Sequence, residues 1–71
     1  MSETLRLNGR LINVGDTMNA VRRQAGEPDR TDRYTNRGYT ITVWYYDRGN
    51  LSHEVKFRGS KVSGLTTEFL H

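Results

Sequence analysis

Few side chains in this sequence are of types that do chemistry, and their spacing decides which chemistry is open to them. Ser52, His53 and Glu54 stand in one run and together hold the functional groups of a hydrolase triad. Consecutive residues of a strand point to opposite faces, so Ser52 and Glu54 do not reach the His53 ring in triad geometry. His53 is expected instead as a histidine at the edge of a core. His71 is terminal and carries no signal. Two widely separated histidines without any cysteine match no metal-ligand spacing, and the carboxylates do not cluster as in a calcium loop. Asp29 and Asp32 each have an arginine neighbour, Arg30 and Arg33, so surface ion pairing is their expected use. The sequence predicts no catalytic residue, no metal and no cofactor, and hence no enzyme.

Anion binding is the chemistry that stays open. The net charge of +3 rests on nine arginines against two lysines, and arginine suits bidentate contacts to phosphate or carboxylate. Arg22, Arg23, Arg30 and Arg33 are the candidate anion-binding residues, with Tyr39 and Tyr45 able to stack on bases from an open sheet face. Against this, charge alternates in sign along "EPDRTDR" and "HEVKFRGSK", and no run of five like charges marks a basic tail. "VKFRGSKV" lacks the aromatic spacing of the RNA-binding sheet motif it superficially resembles. A phosphate cradle at Gly15-Asp16-Thr17 is disfavoured, because Asp16 repels an anion and only one glycine is present.

These side chains must be positioned by very little chain. Seventy-one residues make one domain, residues 1–71, which buries only about 60% of its unfolded surface, so an oligomer or partner would help stabilise it. Residues 1 to 4 are expected to be flexible. Without cysteine, disulfides and thiol chemistry are excluded. No stretch approaches the roughly 20 apolar residues of a membrane span. The start, "MSETLRLNGRL", has neither the basic nor the apolar region of a signal peptide, which predicts a cytoplasmic location.

Asn8-Gly9 is a hairpin-turn pair between two short apolar runs. Gly15 permits a turn, Thr17 can cap a helix, and Asp16 suits its positive end. Met18, Val21 and Ala25 then form one apolar stripe, and Gly26 followed by Pro28 ends the helix. Residues 29 to 37 read as an edge strand or loop. "YTITVWYY", residues 39 to 46, is the strongest strand, followed by "LSHEVKF" after the "DRGN" turn and by "KVSGLTTEF" with Ser63-Gly64 as a bulge.

A turn over Asp47 to Asn50 predicts Tyr46 opposite Leu51 and Trp44 opposite His53, with Thr42 opposite Val55. Trp44, Tyr46, Leu51, Val55 and Phe57 then share the face toward the helix, with Met18, Val21, Val62 and Leu65 completing the core. The other face carries Tyr39, Ile41, Val43 and Tyr45, a stripe that a single helix cannot also cover. An amino-terminal segment, a second copy of the chain, or a partner protein must account for it.

The order "RLINVGDTMNAVRRQAGEP", "VWYYD", "VKF" and "KVSGL" resembles a family of small bacterial domains. They are similar to the outer-membrane assembly lipoprotein type (SmpA/OmlA, also called BamE) and to the β-lactamase inhibitor protein (BLIP) repeat. The resemblance covers roughly residues 6 to 66 and implies a helix against an antiparallel sheet, with binding or assembly roles and no catalytic residues. Family members are usually exported and carry two cysteines at the places of Leu7 and Ala25. Their joint replacement implies that these two sites touch through an apolar contact, and it fits a reducing compartment.

Residues and resemblance together predict an α+β fold, one short helix packed on a three- to four-stranded antiparallel sheet of the BamE/BLIP kind. The favoured function is a non-catalytic interaction module that binds a protein partner or itself through Tyr39, Ile41, Val43 and Tyr45. The second reading is a binder of nucleic acid or acidic lipid through the arginines.

Overall fold

Turn chemistry lays out the chain. The computed structural model describes residues 3–70. The hairpin of β1 (Thr4–Leu7) and β2 (Arg10–Asn13) closes on Asn8-Gly9. Both turn residues have positive φ, 51° and 77°, the pairing that a two-residue hairpin loop favours. After α1 (Met18–Ala25) come β3 (Arg30–Asn36), β4 (Tyr39–Arg48), β5 (Leu51–Arg58) and β6 (Lys61–Phe69), an antiparallel sheet in chain order. The flexible stretch expected over residues 1 to 4 falls partly outside the described residues. Of the rest, Thr4 already opens β1, and the Glu3 carbonyl accepts from the Val14 N–H at 3.2 Å.

The "VGDT" motif is a corner. Thr17 Oγ1 accepts from the Ala20 N–H at 3.1 Å and caps α1. Asp16 is not reserved for the helix dipole as expected: its carboxylate accepts from the Asn13 N–H at 2.9 Å and fastens the loop to β2. The same loop clasps the start of β6. Gly15 N–H donates to the Val62 carbonyl at 2.9 Å, Val62 N–H to Asp16 at 2.8 Å, and Met18 N–H to Ser60 at 3.1 Å. At its far end α1 stops on Gly26, whose φ of 82° and ψ of −171° suit glycine alone.

The β4–β5 register differs by two residues from the one expected. Trp44 stands opposite Val55, Tyr46 opposite His53 and Thr42 opposite Phe57. Gly49-Asn50 closes a two-residue loop, with Gly49 at φ 59°, so β4 runs on to Arg48 instead of turning at Asp47. Because the shift is even, every side chain keeps its predicted face. A bulge lies at Ser63, where Lys56 pairs with Gly64 and Phe57 with Val62.

The core gathers on the Trp44 face. Val21, Ala25, Trp44, Tyr46, Val55, Phe57 and Val62 form one buried cluster, with Met18 and Leu65 packed against it. Leu7 and Ile12 belong to the same cluster, so the amino-terminal hairpin shares the helix side. It does not cover the Ile41–Val43 side, as one of the three expectations had it. Leu7 and Ala25 are both buried here, and Asn8 Nδ2 donates to the Ala25 carbonyl at 3.0 Å. The Tyr46 hydroxyl donates to the Gly26 carbonyl at 2.8 Å and ties the end of α1 to the sheet.

Candidate functional site

All the packed elements lie on one side of the sheet, and no element covers the other among the described residues. Strand alternation and register fix what the outer side displays. β3 contributes Arg30, Asp32 and Tyr34; β4 contributes Tyr39, Ile41, Val43, Tyr45 and Asp47; β5 contributes Ser52, Glu54, Lys56 and Arg58; β6 contributes Thr66 and Glu68.

The apolar stripe is not open surface. Ile41 and Val43 are only 6% and 4% exposed, although nothing is stacked on them. Ile41 sits between Tyr34 and Arg58, and Val43 between Asp32 and Lys56. These long neighbours close over two branched side chains. Tyr45 is half-buried, and Tyr39 is the exposed member at 53%. The residues available for contact are thus the stripe's aromatic end and its charged flanks.

Those flanks are segregated. At the Tyr39 end stand Lys56 and Arg58, the latter with its guanidinium 4.7 Å from the centre of the Tyr39 ring. Glu54, Glu68 and Asp47 gather at the Tyr45 end. Arg30 neutralises Asp47 through two bonds, Nε to Oδ2 at 3.2 Å and Nη2 to Oδ1 at 3.1 Å, and stacks 4.5 Å over Tyr45. That pairing, helped by a hydrogen bond donated by Ser52 at 2.9 Å, holds the Asp47 carboxyl below the usual carboxylate range. Glu54 behaves in the opposite way. Burial, then a hydrogen bond with Glu68 and the charge of that second carboxyl, push its pKa up. One end of the face carries free cations and the other a crowded pair of acids.

The four candidate arginines do not converge. Arg30 is committed to Asp47 on the outer face. Arg22 pairs with Glu27 at 2.9 Å and stacks 5.0 Å from the Trp44 ring on the inner side. Arg23 is an exposed residue of α1. Arg22 and Arg33 are the two that meet, in a cleft of about 520 Å³ between α1 and the β3–β4 ribbon, floored by Thr42 and Trp44. Asp29 and Asp32 do not pair with their sequence neighbours' side chains. Asp29 Oδ2 accepts from Arg48 at 3.1 Å and from the Asp47 N–H at 2.7 Å, while Asp32 Oδ1 accepts from the Arg33 backbone N–H at 2.9 Å.

Ser52 and Glu54 lie on the face opposite His53, whose Nδ1 is 2.8 Å from Thr67 Oγ1. The run therefore has no triad geometry. Among the described residues no three histidine or acidic side chains converge as a metal ligand set, and no helix is long and apolar enough to cross a membrane. Comparison with family models, with curated proteins and with solved structures gave no match.

Lys56, Arg58, Glu54, Glu68 and Tyr34 did not stand out as site residues in the sequence. Each sits in an alternating strand where a charge reads as ordinary solvated surface. Only the register shows that the cations share one end and the acids the other.

Proposed function

We propose that this domain is a non-catalytic interaction module whose docking surface is the outer face of the sheet, and that its occupant is a second copy of the same chain. The observation that carries this reading is the charge segregation along the strands. Lys56 and Arg58 lie at the Tyr39 end, and Glu54 and Glu68 lie at the Tyr45 end. A two-fold axis between two such faces, running across the strands, lays the basic end of one copy on the acidic end of the other. An isologous interface of this kind is self-complementary by construction. The raised pKa of Glu54 supports it, since a crowded pair of acids lacks the cation that a second copy would supply.

Size sets the strength. Four strands about 4.8 Å apart and about seven residues long give a face of roughly 400 Å². Stable interfaces bury roughly 800 Å² per partner, so association is weak and concentration dependent. Light scattering across a range of protein concentrations tests the proposal. The average mass is expected to rise toward twice that of one chain, and to rise less when Lys56→Glu places acid against acid. A mass that stays at one chain throughout would contradict it. The arginine-based reading loses its geometric support, because Arg22, Arg23, Arg30 and Arg33 form no common patch.

A further inference from the structure

The two edges of the sheet differ. Residues 15–18 close the start of β6 with backbone bonds, whereas β3 has no strand beyond it and all seven of its residues are exposed. The β3–β4 loop holds two residues, Arg37 and Gly38, both with positive φ, and it closes on Asn36 and Tyr39. A two-residue hairpin closes on a pair that exchanges both backbone bonds. Arg30, Asp32, Tyr34 and Asn36 therefore direct their backbone groups to β4, and those of Thr31, Arg33 and Thr35 point outward. The bond from the Arg33 N–H to Asp32 Oδ1 agrees: that donor is turned away from β4 and is occupied by a carboxylate.

The outward-pointing residues share the inner face with Trp44 and Thr42, on the side of the cleft walled by Met18 and Arg22. Arg33 has no ion-pair partner among the described residues, and Arg22 has only the exposed Glu27, a pair worth little in water. Thr42 is 94% buried by the same measure that leaves it 6% exposed, and its hydroxyl is in none of the side-chain hydrogen bonds of the described residues. An open strand edge beside a helix, with a cleft carrying two guanidinium groups and a hydroxyl without a partner, has the parts that strand addition uses.

We infer that the free edge of β3 accepts an extended acidic segment of a partner polypeptide as a fifth strand, its alternate carboxylate side chains facing Arg33 and Arg22. Backbone groups of Thr31, Arg33 and Thr35 give the strand its register, and the guanidinium groups give it its charge preference. A carbonyl of the incoming chain takes the place of Asp32 Oδ1 on the Arg33 N–H, so Asp32 acts as a competitor that guards the edge. This site is separate from the outer face and stands whether or not the chain self-associates.

Trp44 is the single tryptophan of the chain and lines the cleft, so its fluorescence reports occupancy. The probe is an acetylated and amidated heptapeptide alternating glutamate with valine, titrated into the full chain. Saturable binding is expected, with lysine in place of glutamate weakening it about tenfold. Arg33→Glu is expected to weaken it to a similar degree, and Asp32→Ala to tighten it. Thr35→Pro removes an outward N–H without touching a β4 bond. It should abolish binding while circular dichroism stays unchanged, and so should N-methylation of alternate peptide amides. Equal binding of the lysine peptide or of the N-methylated peptide would overturn the proposal. So would unchanged affinity in Arg33→Glu, the absence of any saturable response, or a loss of binding caused by Tyr39→Asp on the outer face.

Discussion

The Arg58 guanidinium lies 4.7 Å from the centre of the Tyr39 ring, over the one residue of the apolar stripe that solvent reaches freely. An exposed cation–π contact of this kind contributes about 0.5–1 kcal/mol, too little for the fold to depend on it. Tyr39→Asp should therefore leave the folded chain within about 1 kcal/mol of its stability, measured by urea denaturation at low protein concentration. The same substitution should abolish self-association in light scattering, because it puts an acid at the basic end.

Val43→Glu is expected to behave differently, although both residues belong to one stripe. Val43 is 4% exposed beneath its cross-strand neighbours, so the substitution buries a carboxylate with no cation built to receive it. A cost of about 3 kcal/mol or more follows, large for a domain of this size. Loss of the cooperative thermal transition is the expected result. A folded and fully stable variant would mean that the stripe is open surface.

Glu54 has a raised pKa and Asp47 a lowered one, and the two act on stability in opposite senses. The folded state holds the Glu54 proton more tightly than the unfolded chain does. Its contribution is therefore fully present at low pH and is lost as pH rises through the folded-state value. For Asp47 the contribution is present above the ordinary carboxylate pKa and is lost as pH falls through its lowered value. Glu54→Gln should raise the urea midpoint at pH 7 and reduce the change in midpoint between pH 4 and pH 7. Asp47→Asn should lower the midpoint at pH 7, with the difference from the wild type narrowing under strong acid.

The phenol of Tyr46 is buried, its pKa pushed up to about 12 by that burial, and it donates to the Gly26 carbonyl. Tyr46→Phe leaves that carbonyl without its donor and should cost about 1–2 kcal/mol. Gly26→Ala should cost a comparable 1–3 kcal/mol, for a reason of backbone strain alone. Thermal melting checks both, and a neutral Tyr46→Phe would show that water replaces the phenol.

Where the chain is apolar at a clear period, the sequence was legible. The helix from Met18 to Ala25, its Thr17 cap and its Gly26 stop follow from residue type, as do the two faces of β4. Three features needed structure. The β4–β5 register depends on whether Gly49 takes a positive φ, which the letters permit but do not require. β3 has no hydrophobic period because it is exposed on both faces, so strand and loop read alike. Leu7 and Ile12 could complete either side of the sheet, since β4 is apolar on both; their place under Trp44 and Tyr46 is a packing outcome. The candidate site suffered most from the second of these. Its residues are charges at strand positions, and only the combined register of both hairpins sorts them into a basic end and an acidic end.

Charge exchange tests the central claim most directly. Lys56→Glu and Glu54→Lys, each purified alone, should have weaker self-association than the wild type, since each sets like charge against like. Mixed in equal amounts, they should associate again, because every basic end then finds an acidic one, and sedimentation velocity should show the heavier species return. If the mixture stays at the mass of one chain while the wild type dimerises, the outer face is not where the two copies meet.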